Sequence, residues 1–134
     1  MFTDGGCSGN PGPASIGVVI KQDGKTIKEI SRAIGNATNN IAEYTAMIVA
    51  LKEALALNAD EVFVKTDSEL MYKQIIGKYK VKHEGIKPLF DQVKQLEGKF
   101  KRAEFKHVPR EENSEADKLA GLGLKMSQDD RPDA

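Results

Sequence analysis

The chain has 134 residues, 20 basic and 20 acidic side chains, no formal net charge and 40% hydrophobic residues. That suffices for one domain with a real core but not for two, and neutrality argues against a tight, sequence-blind nucleic-acid coat protein. No apolar run approaches a membrane span, no basic-then-apolar leader opens the chain, and a lone cysteine, Cys7, excludes an intramolecular disulfide framework. A monomeric, soluble protein of a reducing, cytoplasmic compartment is expected.

Met1 to Thr3 reads as a very short first strand that ends at Asp4. Ile16, Val18 and Ile20 alternate as a half-buried strand. Asp23-Gly24 is a hairpin signal, and Ile27 to Ile34 returns as the third strand. Gly35-Asn36 marks the loop that follows, and Asn39 or Asn40 is a natural N-cap. From there the period becomes helical. Ile41, Tyr44, Ile48, Leu51 and Leu55 form one stripe, widened by Ala42, Ala46, Ala50 and Ala54.

Val62 to Val64 is a short β-rich run ending at Thr66-Asp67-Ser68. A helix with Leu70, Met71, Ile75 and Ile76 as apolar positions then runs to Gly77. Lys78 to Gly85 reads as a basic loop, followed by a helix carrying Leu89, Phe90, Val93 and Leu96 with Pro88 in its first turn. Arg102 to Val108 is the last strand and Glu111 to Leu124 the last helix. Residues 1–125 are expected to form one catalytic domain, and residues 126–134 a frayed, flexible acidic tail. Hairpin-linked strands followed by alternating strands and helices predict an α/β fold, a mixed sheet covered by helices.

Four acids sit inside short polar signatures: Asp4 before Gly5-Gly6-Cys7-Ser8-Gly9-Asn10-Pro11-Gly12, Glu43 after Thr38-Asn39-Asn40, Asp67 within Thr66-Asp67-Ser68, and Asp117 after Asn113. If the first strand and the strand before Asp67 lie adjacent and parallel, their ends place Asp4 and Asp67 side by side. Glu43, in the first turn of its helix, can point back to the same edge. Taken singly, each acid has a bland reading as a turn residue, a helix-dipole partner, an N-cap or an ion-pair partner. Converging carboxylates repel, and a fold keeps them together only if a cation neutralises them. The set therefore points to a metal-dependent phosphoryl-transfer site. Two basic groups, Lys73, Lys78, Lys80, Lys82 and Lys87, then Lys99, Lys101, Arg102, Lys106 and Arg110, are either solvated faces or phosphate contacts.

In this order, the four signatures resemble type 1 ribonuclease H, from Phe2 to about Leu124. The resemblance implies a ribonuclease H-like fold, a five-stranded mixed sheet of order 3-2-1-4-5 flanked by helices. It implies endonucleolytic hydrolysis of the RNA strand of RNA/DNA hybrids, leaving 5′-phosphate and 3′-hydroxyl ends. Two Mg²⁺ ions, about 4 Å apart and replaceable by Mn²⁺, are implied as cofactors. Carried over by position, Asp4, Glu43, Asp67 and Asp117 are the metal-binding acids, and Gly5, Cys7, Asn10, Asn39, Asn40 and Ser68 contact the hybrid.

Two departures stand out. The stretch Gly77 to Gly85 is short and the chain has no Trp, as in members lacking the basic handle. Weaker substrate grip and a steeper loss of activity with salt are then expected. The family's flexible assisting residue, often a histidine, corresponds to His107, ten residues before Asp117, with Arg110 of Val108-Pro109-Arg110-Glu111 as its rival. A related-fold DNA junction resolvase and a non-catalytic hybrid-binding module are the alternative readings. Four retained carboxylates weigh against the second, because binding alone gains nothing from repulsion.

Overall fold

The computed structural model describes residues 1–129, with side chains described through residue 125. Five strands form one sheet, β1 (Phe2–Cys7), β2 (Gly12–Gln22), β3 (Lys25–Ala37), β4 (Glu61–Thr66) and β5 (Arg102–His107). Their order is β3-β2-β1-β4-β5, with antiparallel pairing among the first three and parallel pairing of β1 with β4 and β4 with β5. Among the described residues four α-helices, α1 (Asn39–Ala56), α2 (Glu69–Ile75), α3 (Lys87–Glu97) and α4 (Ser114–Asp129), flank it. Among the described residues no helix is long and apolar enough to cross a membrane.

The β2–β3 hairpin turns at Asp23 and Gly24, with φ of 53° and 79°, the two positive values a type I′ turn needs. β1 is longer than its apolar start suggests. It passes through Asp4 to Cys7 because β2 continues to pair with it as far as Cys7↔Ala14. β3 likewise runs through Gly35 and Asn36, which read as a loop. Ala14 pairs with Gly35 and Ser15 with Ala33, so Ile34 is absorbed as a bulge rather than ending the strand.

α1 lies across one face of the sheet. Tyr44, Met47, Ile48 and Leu51 pack on Val62 and Val64 of β4, Met71 and Ile75 of α2, and Val93 and Leu96 of α3. The alanine side of α1 does the second job its width implied, Ala50 meeting Val18, Ile20 and Ile30. Thr38 caps α1, its Oγ1 accepting from Ile41 N at 3.2 Å, so neither Asn39 nor Asn40 is the cap. On α2 only Met71 and Ile75 are buried, and Leu70 and Ile76 remain exposed.

α4 covers the opposite face. A single 3-10 turn, Arg110–Asn113, precedes it, so the α-helix begins at Ser114 rather than Glu111. It continues to Asp129, past the expected end at Leu124 and into the segment expected to fray; residues 130–134 of that tail lie outside the described residues. The Ser15 hydroxyl donates to the Ala120 carbonyl and the Ser31 hydroxyl to Leu119 O at 2.5 Å, fastening α4 to β2 and β3. Gly17 lets the helix come that close. A Cβ there would overlap the Ala116 carbonyl and lie 2.6 Å from the Ala120 amide nitrogen. Gly17→Ala should therefore lower stability by about 1–3 kcal/mol, as overpacking does. Urea unfolding followed by circular dichroism checks this, and an unchanged midpoint would contradict the docking of α4 on β2.

Candidate active site

The site is made where two strands part. β1 and β4 are paired only at Phe2↔Lys65 and Thr3↔Thr66. Beyond Thr3, β1 stays with β2, while the chain after Thr66 turns into α2. Asp4 and Asp67, the next residues on each side, thus stand at the mouth of the split. They are neighbours as expected, although Asp4 lies inside its strand and not at its end.

Glu43 reaches this mouth from α1. It is the fifth residue of the helix after the Thr38 cap, just past the first turn, and its Oε1 accepts from Gly5 N at 2.5 Å. Gly5 permits the approach. A Cβ on Gly5 would overlap the Ala42 carbonyl and come within 2.5 Å of Glu43 N. Asp117 comes from α4, whose start is tied to β1 by Asn113. That buried side chain donates from Nδ2 to Thr3 O at 2.8 Å, one residue before Asp4.

One carboxylate oxygen from each of Asp4, Glu43 and Asp67 lies within 4.8 Å of the others. Asp4 is 8% exposed and Glu43 4%, so two of the three are largely cut off from water. Burial pushes Asp4 up to about 7, reinforced by the charges of Asp67 and Asp117 and opposed by Arg110. Burial also raises Glu43 well above the usual carboxylate range, with Asp4 adding to it and the Gly5 N–H working the other way. Both shifts favour the protonated acid, and a divalent cation would compete with that proton. Hard carboxylate oxygens at this spacing are a donor set that fits such a cation.

A cleft of about 480 Å³ opens over the acids, lined also by Gly6, Cys7, Asn39, Ser68, Arg110 and Asp117. Among the described residues Arg110 is the one cation on its wall, with Nη2 3.5 Å from Asp117 Oδ1. His107 is not on that wall. It ends β5 and its ring lies 6.0 Å from that of Tyr72 on α2. Of the two candidates, Arg110 lines the acidic cleft and His107 does not. Ser68, beside Asp67, caps α2 by accepting from Met71 N at 3.3 Å.

Asn39 also lines a second cleft of about 600 Å³, with Asn10, Asn40, Gln74, Lys80 and Lys82. Asn10 Oδ1 accepts from Asn39 N at 3.0 Å and lies 3.9 Å from Cys7 Sγ, which leaves its amide nitrogen for other partners. All of Gly5, Cys7, Asn10, Asn39, Asn40 and Ser68 therefore lie on one cleft or the other. Sequence reasoning missed Gln74. Its signal was indirect: Tyr44, placed in a core stripe, carries a hydroxyl that must find a partner when buried.

Strand order 3-2-1-4-5 with acids at the β1–β4 split defines a ribonuclease H-like domain. A family model described as "Reverse transcriptase-like" matches residues 2–123, and the chain belongs to that family. It is 44% identical over 119 residues to a bifunctional protein of Mycobacterium tuberculosis, matching 87% of this chain but 33% of that protein. The chain thus spans about a third of the length of the mycobacterial relatives it matches. The crystal structure of RNase H1 from Halobacterium salinarum superposes with a TM-score of 0.90 at 36% identity, covering 93% of this chain and 96% of that one. LC11-RNase H1, solved in complex with an RNA/DNA hybrid, gives 0.89 at 42% identity, covering 95% and 96%.

Asp4 holds its proton more tightly when folded, so its ionisation costs stability as pH rises from about 4 through about 7. With chelator present, Asp4→Asn should melt above the wild type at pH 8, and the gain should shrink toward pH 4. Scanning calorimetry across that range checks it; a difference independent of pH would show that Asp4 is not strained by charge.

Proposed function

We propose that this chain is an endoribonuclease that hydrolyses the RNA strand of RNA/DNA hybrids with divalent metal ions, Mg²⁺ foremost and Mn²⁺ as a substitute. The observation that carries the reading is the meeting of Asp4, Glu43 and Asp67 within 4.8 Å, with Asp117 and Arg110 on the same cleft. Its relative LC11-RNase H1 was solved with such a hybrid, at 42% identity over nearly the whole chain. A pure binding module would gain nothing from acids that burial and mutual repulsion penalise.

Asp4, Glu43, Asp67 and Asp117 would hold the metal ions, Asp4 being central because it feels each of the other three. When bound, the ions supply an activated water and offset charge on the departing oxygen. In-line attack at phosphorus breaks the bond to the 3′ oxygen and leaves a 5′-phosphate and a 3′-hydroxyl. A guanidinium is a poor proton donor, so the part of Arg110 is electrostatic, steadying negative charge on the reacting phosphate. His107, at the end of β5 against Tyr72, would take no direct part.

Selectivity would come from the sugar. A hybrid offers 2′-hydroxyls across a shallow minor groove, and uncharged amides can read them. Asn10, Asn39 and Asn40, with Gly5, Cys7 and Ser68 along the path, form that reading surface. Lys80 and Lys82 beside them suit backbone phosphates, set back from the acids. Base readout in the major groove forms no part of this reading. Cys7, unpaired, suits a reducing, cytoplasmic setting.

Asp67→Asn should cut hybrid cleavage by roughly a thousandfold while hybrid binding persists, because a transition-state charge stabiliser is lost. Near-normal turnover with Mg²⁺ would refute the site, and cutting of a four-way DNA junction in preference to a hybrid would favour the resolvase. Arg110→Ala should slow turnover at saturating hybrid by about tenfold or more, and His107→Ala by less than about threefold. Single-turnover cleavage of an end-labelled hybrid measures both; the opposite ranking would restore His107 as the assisting residue.

A further inference from the structure

The residue after Glu43 faces away from the acids. Tyr44 is 1% exposed, packed in the main core cluster, yet its hydroxyl donates to Gln74 Oε1 of α2 at 2.6 Å. Burial pushes the phenol up to about 12, so the hydroxyl keeps its proton across the physiological range. A buried hydroxyl has to donate that proton. Here the acceptor is the Gln74 carbonyl, and this settles which way the planar amide is turned. Its Nε2, with two donor hydrogens, then lies on the other limb, and among the described residues it has no protein acceptor.

Gln74 forms part of the wall of the second cleft, which shares Asn39 with the acidic cleft. Lys80 and Lys82 in that wall are flexible point charges that attract a phosphate without orienting it. A clamped amide is different: it is neutral, directional and already ordered. Through Tyr44 it is also tied to α1, one residue from Glu43, so its distance from the acids is set by the core.

We propose that Gln74 is a substrate-contacting residue, donating from its amide nitrogen to a backbone oxygen of the nucleic-acid strand lying in this cleft, and that Tyr44 is its positioning residue. The inference rests on the nuclease reading above. Gln74 contributes to binding rather than to chemistry, because none of the four acids lines its cleft. The contact is orientation-dependent, so removing the Tyr44 hydroxyl weakens it without touching the strand.

Steady-state cleavage of a hybrid with Mg²⁺ tests this with four variants. Gln74→Ala should raise KM about three- to tenfold, the range of one neutral hydrogen bond, with kcat within about twofold. Tyr44→Phe, which keeps the ring in the core, should raise KM in the same direction by a smaller factor. The double variant should match Gln74→Ala alone, since the hydroxyl acts only through the amide. Gln74→Glu retains an acceptor for Tyr44 but offers no donor, so it should melt with the wild type and raise KM at least as much as Gln74→Ala. Additive single effects, a wild-type KM for Gln74→Glu, or a loss confined to kcat would each overturn the proposal. Hybrid binding by fluorescence anisotropy in Ca²⁺ should give the same ranking. A wild type that binds hybrid with that ranking yet cuts nothing would overturn the nuclease reading and leave the Gln74 contact standing.

Discussion

Carboxylates packed against one another out of water are an unfavourable arrangement, and the rest of this molecule is built to hold it. Asp4 and Glu43 are buried within a few ångströms of Asp67, and both retain protons far above the usual carboxylate range. No local feature would keep them there. The β1–β4 pairing ends one residue before each aspartate, Gly5 admits α1 close enough for Glu43 to take the Gly5 N–H, and Asn113 anchors the start of α4 beside Thr3. Each device acts on the backbone next to an acid. The geometry is therefore as stiff as the sheet itself, which a metal-binding constellation requires.

Charge is divided between two clefts that share Asn39. The acids line one, and the amides of Asn10, Asn40 and Gln74 line the other together with Lys80 and Lys82. A polyanion approaching the acids unaided would be repelled. In the proposed function the lysines would attract it and the amides would set its register, away from the acids. Arg110 lies against Asp117 inside the acidic cleft.

The elements that could be read early were those with strong local signals. Asp23-Gly24 dictates a hairpin because Gly tolerates positive φ, and the three- and four-residue spacing from Ile41 to Leu55 dictates α1 whatever it packs on. The misjudged boundaries share a cause. β1 past Asp4 and β3 through Gly35-Asn36 have little strand propensity of their own and are held by β2, whose register carries them along. The α1 cap was misplaced for a smaller reason: Thr38, Asn39 and Asn40 are all good caps, and only the backbone angles choose among them.

The sequence by itself determined the four acids, the polar residues beside them and the order of strands and helices, because each is written in a short local pattern. Whether His107 or Arg110 stands in the cleft was not decided at that level, since two residues on either side of a strand end can be told apart only once β5 and the 3-10 turn are placed. Nor was the role of Tyr44, which reads as one more apolar residue of a helical stripe. Its partner lies thirty residues away on another helix. A hydroxyl's acceptor, like a carboxylate's neighbours, is a relation between distant segments, and packing alone supplies it.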